Sequence, residues 1–398
     1  MAAKEGNSMN TGLTAAKTAK KDEFYTQYVD IQKEVEAYLE YDPDTFRDKT
    51  VYCNCDDPFE SNFFKYFAAN FNRLGLRKLI TTSYDGSSIA GGQITFGEYT
   101  EGNGEREKPK AICVEIEEVT DLDGDGAVGI EDVKLFLERN PHSHRPLSGG
   151  GDFRSEECIE LLEEADIVVT NPPFSLFREF MALLAKHDKK LLVIGNLQAL
   201  TYKEIFPLIA ADRLWMGVTI HSGDREFRVP DHYPLNAAGH RTDENGSKYI
   251  RVKGVRWYTN LDHGRRHQVL PLMSMRDNLR FNKKLNGKSV YEKYDNYDAI
   301  EISFTDAIPN DYEGVMGVPI TFLDKYNPEQ FEILGTTESN DKDNVFRTRH
   351  YTAQECRDAY ANRFGKPGVY DLNASGVVNG VKVYKRVLIQ HRTQNSMR

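Results

Sequence analysis

Residues 167–174 read Ile167-Val168-Val169-Thr170-Asn171-Pro172-Pro173-Phe174. An unbroken run of β-branched residues predicts a short strand, Ile167–Thr170, buried on both faces. Asn-Pro then forces a turn, because proline fixes φ and has no N–H to continue a ladder. Beyond the turn, Phe177, Phe180, Met181 and Leu184 recur at helical spacing and predict an amphipathic helix. A helix over Glu156–Glu164 precedes the strand, and a further strand, Leu191–Gly195, follows.

The same alternation extends toward the N-terminus. Asp22–Glu40 reads as an aromatic entry and then a helix anchored by Val29, Val35 and Leu39. A strand follows at Thr50–Asn54, and a helix over about Glu60–Leu74 carries Phe63, Phe64, Phe67 and Phe71. Two more strands are expected at Lys78–Ser83 and Ala111–Ile116. Short apolar strands alternating with helices imply an α/β fold with a parallel sheet covered on both faces. Ligands of such sheets sit beyond the carboxyl ends of the strands. Two turns occupy that position, Asn54–Asp57 and Asn171–Phe174. Past about residue 215 the texture changes. Strand-like runs (Leu214–Thr219, Tyr249–Tyr258, Ala299–Phe304, Val383–Gln390) are separated by polar stretches, which reads as the end of the sheet plus an α+β module.

Bulk properties narrow the function classes. The chain has 398 residues, 39% hydrophobic and 28% charged, a globular composition. It contains no apolar run of about 18 residues, so no membrane span is expected. Residues 1–21 lack an apolar core and read as a disordered tail, not a signal peptide. The five cysteines, Cys53, Cys55, Cys113, Cys158 and Cys356, are odd in number. Reduced thiols in a cytoplasmic protein account for them, and they lack zinc-ligand spacing. The net charge of −10 argues against indiscriminate binding to polyanions. Yet residues 251–290 hold ten basic side chains and only two acidic ones, Asp262 and Asp277. Arg256, Arg265, Arg266, Arg276, Arg280, Lys283 and Lys284 are therefore candidate contacts to DNA phosphates, against the alternative of a solvated surface.

The Asn171–Phe174 turn suits chemistry on a planar amine. The amino group of adenine is a poor nucleophile, because its lone pair is delocalised into the ring. A catalyst must accept hydrogen bonds from that group as positive charge develops. The Asn171 side-chain oxygen and the Pro172 carbonyl can do this, with Pro172 and Pro173 holding the turn rigid. Phe174 offers a flat face to a base extruded from the duplex. The same turn would serve cytosine N4, RNA adenine or a glutamine side chain.

Cys55-Asp56-Asp57-Pro58-Phe59-Glu60-Ser61 follows the first strand and contains no glycine, so it makes no phosphate cradle. Its carboxylates suit a cofactor without phosphate, or they cap the next helix. Asp152 and Phe153 could hydrogen-bond and stack a cofactor's adenine; a capping Asp is the simpler reading. Asp121, Asp123, Asp125, Ala127 and Asp132 fall at the spacing of a calcium loop, with Gly126 at its turn and Asp where Glu usually ends it. The spacing fits a structural Ca2+ or an acidic turn without metal. A calcium-dependent, non-enzymatic DNA-binding module is thus the rival to an enzyme.

At this point the residues match a known pattern. DEFYTQ (22–27), VYCNCDDP (51–58), SNFFKYF (61–67), ADIVVTNPPFSLFREF (165–180), WYTNLDH (257–263) and GVMGVPITFLDKYNP (314–328) resemble the adenine-specific methyltransferases of the EcoRI modification methylase type. The resemblance runs from about Asp22 to the C-terminal strand. It implies a Rossmann-like, S-adenosylmethionine-dependent methyltransferase domain over 22–260, with the calcium-loop-like insertion at about 118–150. A target-recognition region would span 261–398. It further implies that Phe24, Tyr25 and Thr26 lie near the methionine part of the cofactor, and that Asn54, Asp56, Asp57 and Pro58 form its main turn. Asp152 and Phe153 would approach its adenine, and Asn171, Pro172, Pro173 and Phe174 would be catalytic. Double-stranded DNA is the implied partner, with a cognate restriction endonuclease acting on the same site. A cytoplasmic monomer is expected. The Gly-rich loop of the wider methyltransferase pattern is absent.

Overall fold

The computed structural model describes residues 25–55, 61–84, 111–124, 130–139, 144–221, 223–229, 239–338 and 344–392. Phe24, Asp56, Asp57, Pro58, Asp125, Ala127 and the expected tail at 1–21 lie outside them. The chain divides into two compact units, one running to Ile209 and from Arg213 to His263, the other comprising Ala210–Asp212 and the chain from Gly264 onward.

The first unit is built on β1 (Thr50–Cys53), β2 (Lys78–Thr82), β3 (Ile112–Ile116), β4 (His144–Pro146), β5 (Ile167–Thr170), β6 (Lys190–Asn196), β7 (Trp215–Met216) and β11 (Val255–Thr259), in the order β4-β3-β2-β1-β5-β6-β11-β7. The inner strands β2, β1, β5 and β6 are parallel. The outer pairs β3–β4 and β11–β7 join them antiparallel, so the sheet is mixed, whereas the alternation led to the expectation of a parallel one. Periodicity identified the helix-linked inner strands but carries no information on the direction of the outer ones. The described helices of this unit are α1 (Tyr28–Tyr41), α2 (Asn62–Ala69), α3 (Phe71–Leu74), α4 (Ile130–Arg139), α5 (Glu156–Glu164), α6 (Phe177–Lys186) and α7 (Phe206–Ala210).

Strand alternation distributes the core. Val51, Cys53, Ile167 and Val169 join the cluster that includes Phe63, Phe64 and Phe67 of α2, while Tyr52 between them interacts with Cys158 of α5. Burial pushes both the Tyr52 hydroxyl and the Cys158 thiol above their ordinary values. All five cysteines are free. Trp257 and Tyr258 of β11 are core residues at 1% and 0% exposure.

Helix α1 keeps two of its three expected anchors, Val35 and Leu39, at the core. Ile31, Glu34, Val35 and Tyr38 face the core, whereas Val29 is 49% exposed. Glu34 is fully buried. Its carboxylate accepts from the backbone N–H of Val218 (2.7 Å) and Thr219 (2.7 Å), the Thr219 hydroxyl and the Tyr38 hydroxyl (3.1 Å). Burial raises its pKa against the lowering effect of those bonds. A polar residue therefore takes a core position because it supplies acceptors for a segment that leaves the sheet.

The expected strand Tyr249–Tyr258 is two strands. Gly254, at φ 70°, turns β10 (Lys248–Lys253) out of the large sheet and into a three-stranded sheet ordered β8-β10-β9, with β8 (Asp224–Val229) and β9 (Arg241–Thr242).

The second unit holds β12 (Ile300–Glu301), β13 (Met316–Pro319), β14 (Phe331–Thr336) and β17 (Arg386–His391), ordered β12-β13-β17-β14. Also present are α8 (Met275–Phe281), α9 (Ala353–Phe364) and the hairpin of β15 (Val377–Val378) and β16 (Val381–Lys382). Its core centres on Tyr294, Tyr297, Val315 and Leu388, beside a buried Arg386–Glu301 ion pair at 2.6 Å. The expected strands at Ala299–Phe304 and Val383–Gln390 correspond to the shorter β12 and to β17.

Glu34→Ala would leave two buried N–H groups without acceptors, at about 1–3 kcal/mol each. We expect a loss of roughly 3 kcal/mol in urea unfolding; an unchanged midpoint would contradict the role assigned to Glu34.

Candidate active site

The parallel order β2-β1-β5-β6 places the topological switch point between β1 and β5, where the chain leaves neighbouring strands in opposite directions. Register pairs Val51 with Ile167 and Tyr52 with Val168. Asn54 and Asn171 therefore emerge from the carboxyl ends of adjacent strands. The Thr170 hydroxyl donates to the Asn54 carbonyl and ties the two ends together. The Asn54 side-chain oxygen accepts from the Cys55 thiol (3.3 Å) and the Thr82 hydroxyl (3.4 Å), and Thr82 in turn pairs with the Tyr52 hydroxyl (3.0 Å). Cys55 has a positive φ of 62°, so the chain bends sharply as it leaves β1.

Asn171 is 8% exposed, Pro172 and Pro173 are buried, and Phe174 is half-buried against the main core. The Pro173 carbonyl accepts from Leu176 N–H (2.9 Å), which closes the turn into α6. Phe177 is held in place by Tyr258, with ring centroids 5.1 Å apart.

Thr26 lies just ahead of α1. It is 3% exposed, and its hydroxyl has no hydrogen-bond partner among the described residues. Its carbonyl accepts from Asn62 Nδ2 (2.7 Å) of α2, and the preceding Tyr25 exchanges backbone hydrogen bonds with Arg228 of β8 (3.0 and 3.3 Å). Asp152 and Phe153 have protein partners. Both Asp152 carboxylate oxygens are bound by Arg154, which holds the guanidinium pKa up, and Phe153 packs edge-on against Phe180 (5.2 Å). Gly151, at φ 71°, has no room for a side chain: a Cβ there would fall 1.8 Å from the Ser83 carbonyl oxygen. The backbone before Asp152 is thereby pressed against the end of β2.

Of the calcium-loop residues, Asp121, Asp123 and Asp132 bring carboxylate oxygens within 4.8 Å of one another. Asp132 Oδ1 accepts from the N–H groups of Leu122 (2.6 Å) and Asp123 (3.1 Å).

The basic candidates divide. Arg256 is a correction: at 3% exposure its guanidinium donates to the Val255 and His221 carbonyls, because β11 is buried throughout. Arg266 is held by Asp212 (2.5 Å), Arg265 donates to the Asp324 carbonyl (3.2 Å), and Lys284 pairs with Asp306 (2.8 Å). Arg276, Arg280 and Lys283 are exposed on α8 and the turn after it. Sequence reading passed over Thr170 and Thr82, since threonine at the end of an apolar strand looks like any β-branched residue. The Gly149-Gly150-Gly151 run was the one available sign of close backbone approach.

A family model described as adenine-specific methyltransferase EcoRI matches residues 12–392. The chain belongs to that family. It is 46% identical over 334 residues to Type II methyltransferase M.EcoRI of Escherichia coli, an alignment covering 82% of this chain and 90% of that protein. Type II methyltransferases M.MpnI of Mycoplasma pneumoniae and M.MgeORF184P of Mycoplasma genitalium are each 36% identical, over 80% of this chain and 83% and 84% of theirs. No solved structure matches. The protein is thus an adenine-specific Type II DNA methyltransferase, and the non-enzymatic rival falls away. The methyltransferase has no helix among its described residues long and apolar enough to cross a membrane.

Thr170→Val keeps the shape of the strand and removes the tie to Asn54. We expect about 1 kcal/mol of lost stability and reduced methyl transfer, read by thermal unfolding and a tritium-transfer assay. Wild-type values in both would show the tie to be incidental.

Proposed function

We propose that the enzyme transfers a methyl group from S-adenosylmethionine to N6 of adenine in duplex DNA. The first unit would act as a Rossmann-like methyltransferase domain over 22–260, and residues 261–398 as the target-recognition region. The observation that carries this reading is the emergence of Asn171 beside Asn54 at the switch point, tied by Thr170. The buried Thr26 hydroxyl fits a cofactor, since a buried donor without a partner is costly unless a ligand satisfies it. Phe24 to Thr26, Asn54, Asp56 to Pro58, and Asp152 with Phe153 are its proposed contacts; Arg154 would have to yield part of Asp152.

Bound S-adenosylmethionine supplies an electrophilic methyl group on a sulfonium. Asn171 Oδ1 and the Pro172 carbonyl accept the two amino protons of an extruded adenine and stabilise charge as it develops. Among the described residues the Pro172 carbonyl accepts no backbone hydrogen bond, which leaves it available. Phe174 stacks on the base and Pro173 fixes the turn. Positioning does most of the work, and no covalent enzyme intermediate is required.

Arg276, Arg280 and Lys283, with Arg265, Arg266 and Lys284 if their partners release them, would contact phosphates. A monomer acting in the cytoplasm, protecting sites cut by a cognate restriction endonuclease, completes the reading. A structural Ca2+ would sit among Asp121, Asp123, Asp125, the Ala127 carbonyl and Asp132. Added calcium should then raise the melting temperature and EGTA should reverse it; identical melts would remove the ion.

Asn171→Ala should bind S-adenosylmethionine normally in calorimetry and lose at least about a hundredfold in turnover. Nucleoside digestion of wild-type product should yield N6-methyladenine. Full activity in the variant, or a different modified nucleoside, would overturn the assignment.

A further inference from the structure

The small sheet β8-β10-β9 has one face in the core. Phe227 and Val229 of β8 and Ile250 and Val252 of β10 are each at most 2% exposed and belong to the main cluster. Strand alternation turns the other residues outward. Cross-strand register sets Arg228 and Arg241 on either side of Tyr249, Arg251 opposite Glu226, and Lys253 opposite Asp224. Arg241 binds both carboxylate oxygens of Glu226 (2.9 and 2.6 Å) and lies over the Tyr249 ring at 4.1 Å, while Arg228 lies over Tyr25 at 5.7 Å. With Glu226 so occupied, Arg251 and Lys253 are exposed and make no ion pair among the described residues. This outward face is net basic on a chain of charge −10.

Its place in the fold gives the face a use. β10 leaves the large sheet at Gly254, whose carbonyl accepts from Leu197 N–H (2.6 Å), and Val255 pairs with Asn196 at the carboxyl end of β6. β6 is the neighbour of β5, so the small sheet rises from the edge on which Asn171 lies. Through Tyr25 it is also bonded to the segment carrying Thr26.

We propose that the outward face of the small sheet, through Arg251 and Lys253 beside the tyrosine-stacked Arg228 and Arg241, carries the sugar-phosphate backbone of the DNA whose adenine reacts at Asn171. Residues two apart on a strand are about 6.8 Å apart on one face, the scale of neighbouring phosphates on one DNA strand. Stacking on tyrosine orients the two guanidinium groups on this face. The contacts are to the backbone, so they position the duplex without reading its sequence. The proposal rests on the DNA methyltransferase reading of the Asn171 site, and it moves the first DNA contacts from Arg256 to residues on the adjoining strand.

The test uses the full-length enzyme and a fluorescent duplex of arbitrary sequence, with anisotropy measured across a salt series. For the double variant Arg251→Gln with Lys253→Gln, the slope of log K against log salt should become shallower by about 2, because each lost phosphate contact contributes about 0.9. S-adenosylmethionine affinity, measured by calorimetry, should be unchanged, which also reports that the variant is folded. Lys49→Gln with Lys186→Gln removes two exposed cations near the opposite edge of the sheet and should leave the slope as it was. An unchanged slope in the first variant, or an equal loss in the second, overturns the assignment of this face. A wild-type enzyme that binds no duplex overturns the reading of the site itself.

Discussion

One hydrogen bond between two strand ends organises the rest of the site. β1 and β5 are neighbours only because parallel pairing puts Val51 opposite Ile167, and the Thr170 hydroxyl then reaches the Asn54 carbonyl. Both strands are buried along their whole length, so a one-residue slip would exchange side chains between two packed faces and mismatch both. That register delivers Asn54 and the Asn-Pro-Pro-Phe turn to the same end of the sheet. The Phe177–Tyr258 contact then holds the start of α6.

The inner strands, β1, β2, β5 and β6, were legible because burial on both faces leaves unbroken apolar runs. α6 was legible because its apolar residues repeat at helical spacing. Elsewhere the signal was weaker for physical reasons. α1 was phased from Val29, Val35 and Leu39; Val35 and Leu39 meet the core, but the buried stripe also runs through Glu34, a residue that patterns treat as surface. The small sheet was hidden because its strands bury alternate residues and one glycine separates β10 from β11. Nothing in a list of apolar residues says that consecutive strands belong to different sheets.

Charge counting has a similar limit. The basic stretch 251–290 looks continuous, yet it crosses from β10 and β11 of the first unit into the second. Along it a guanidinium can be exposed, as in Arg276, paired, as in Arg266, or sealed in a strand, as in Arg256. Burial on both faces of β11 decides the last case, and only tertiary packing reveals it. The Asn-Pro-Pro-Phe turn stood out more readily, because it is marked by residue types at consecutive positions and not by what surrounds them.

The single glycine between β10 and β11 constrains how a chain of this kind can vary in length. Adding or removing one residue at Gly254 would turn the side chains of whichever strand absorbed the change to its opposite face. Either the tyrosine and basic residues of the small sheet would turn into the core, or Trp257 would turn away from its cluster. The length of the junction between these strands is therefore fixed at a single residue.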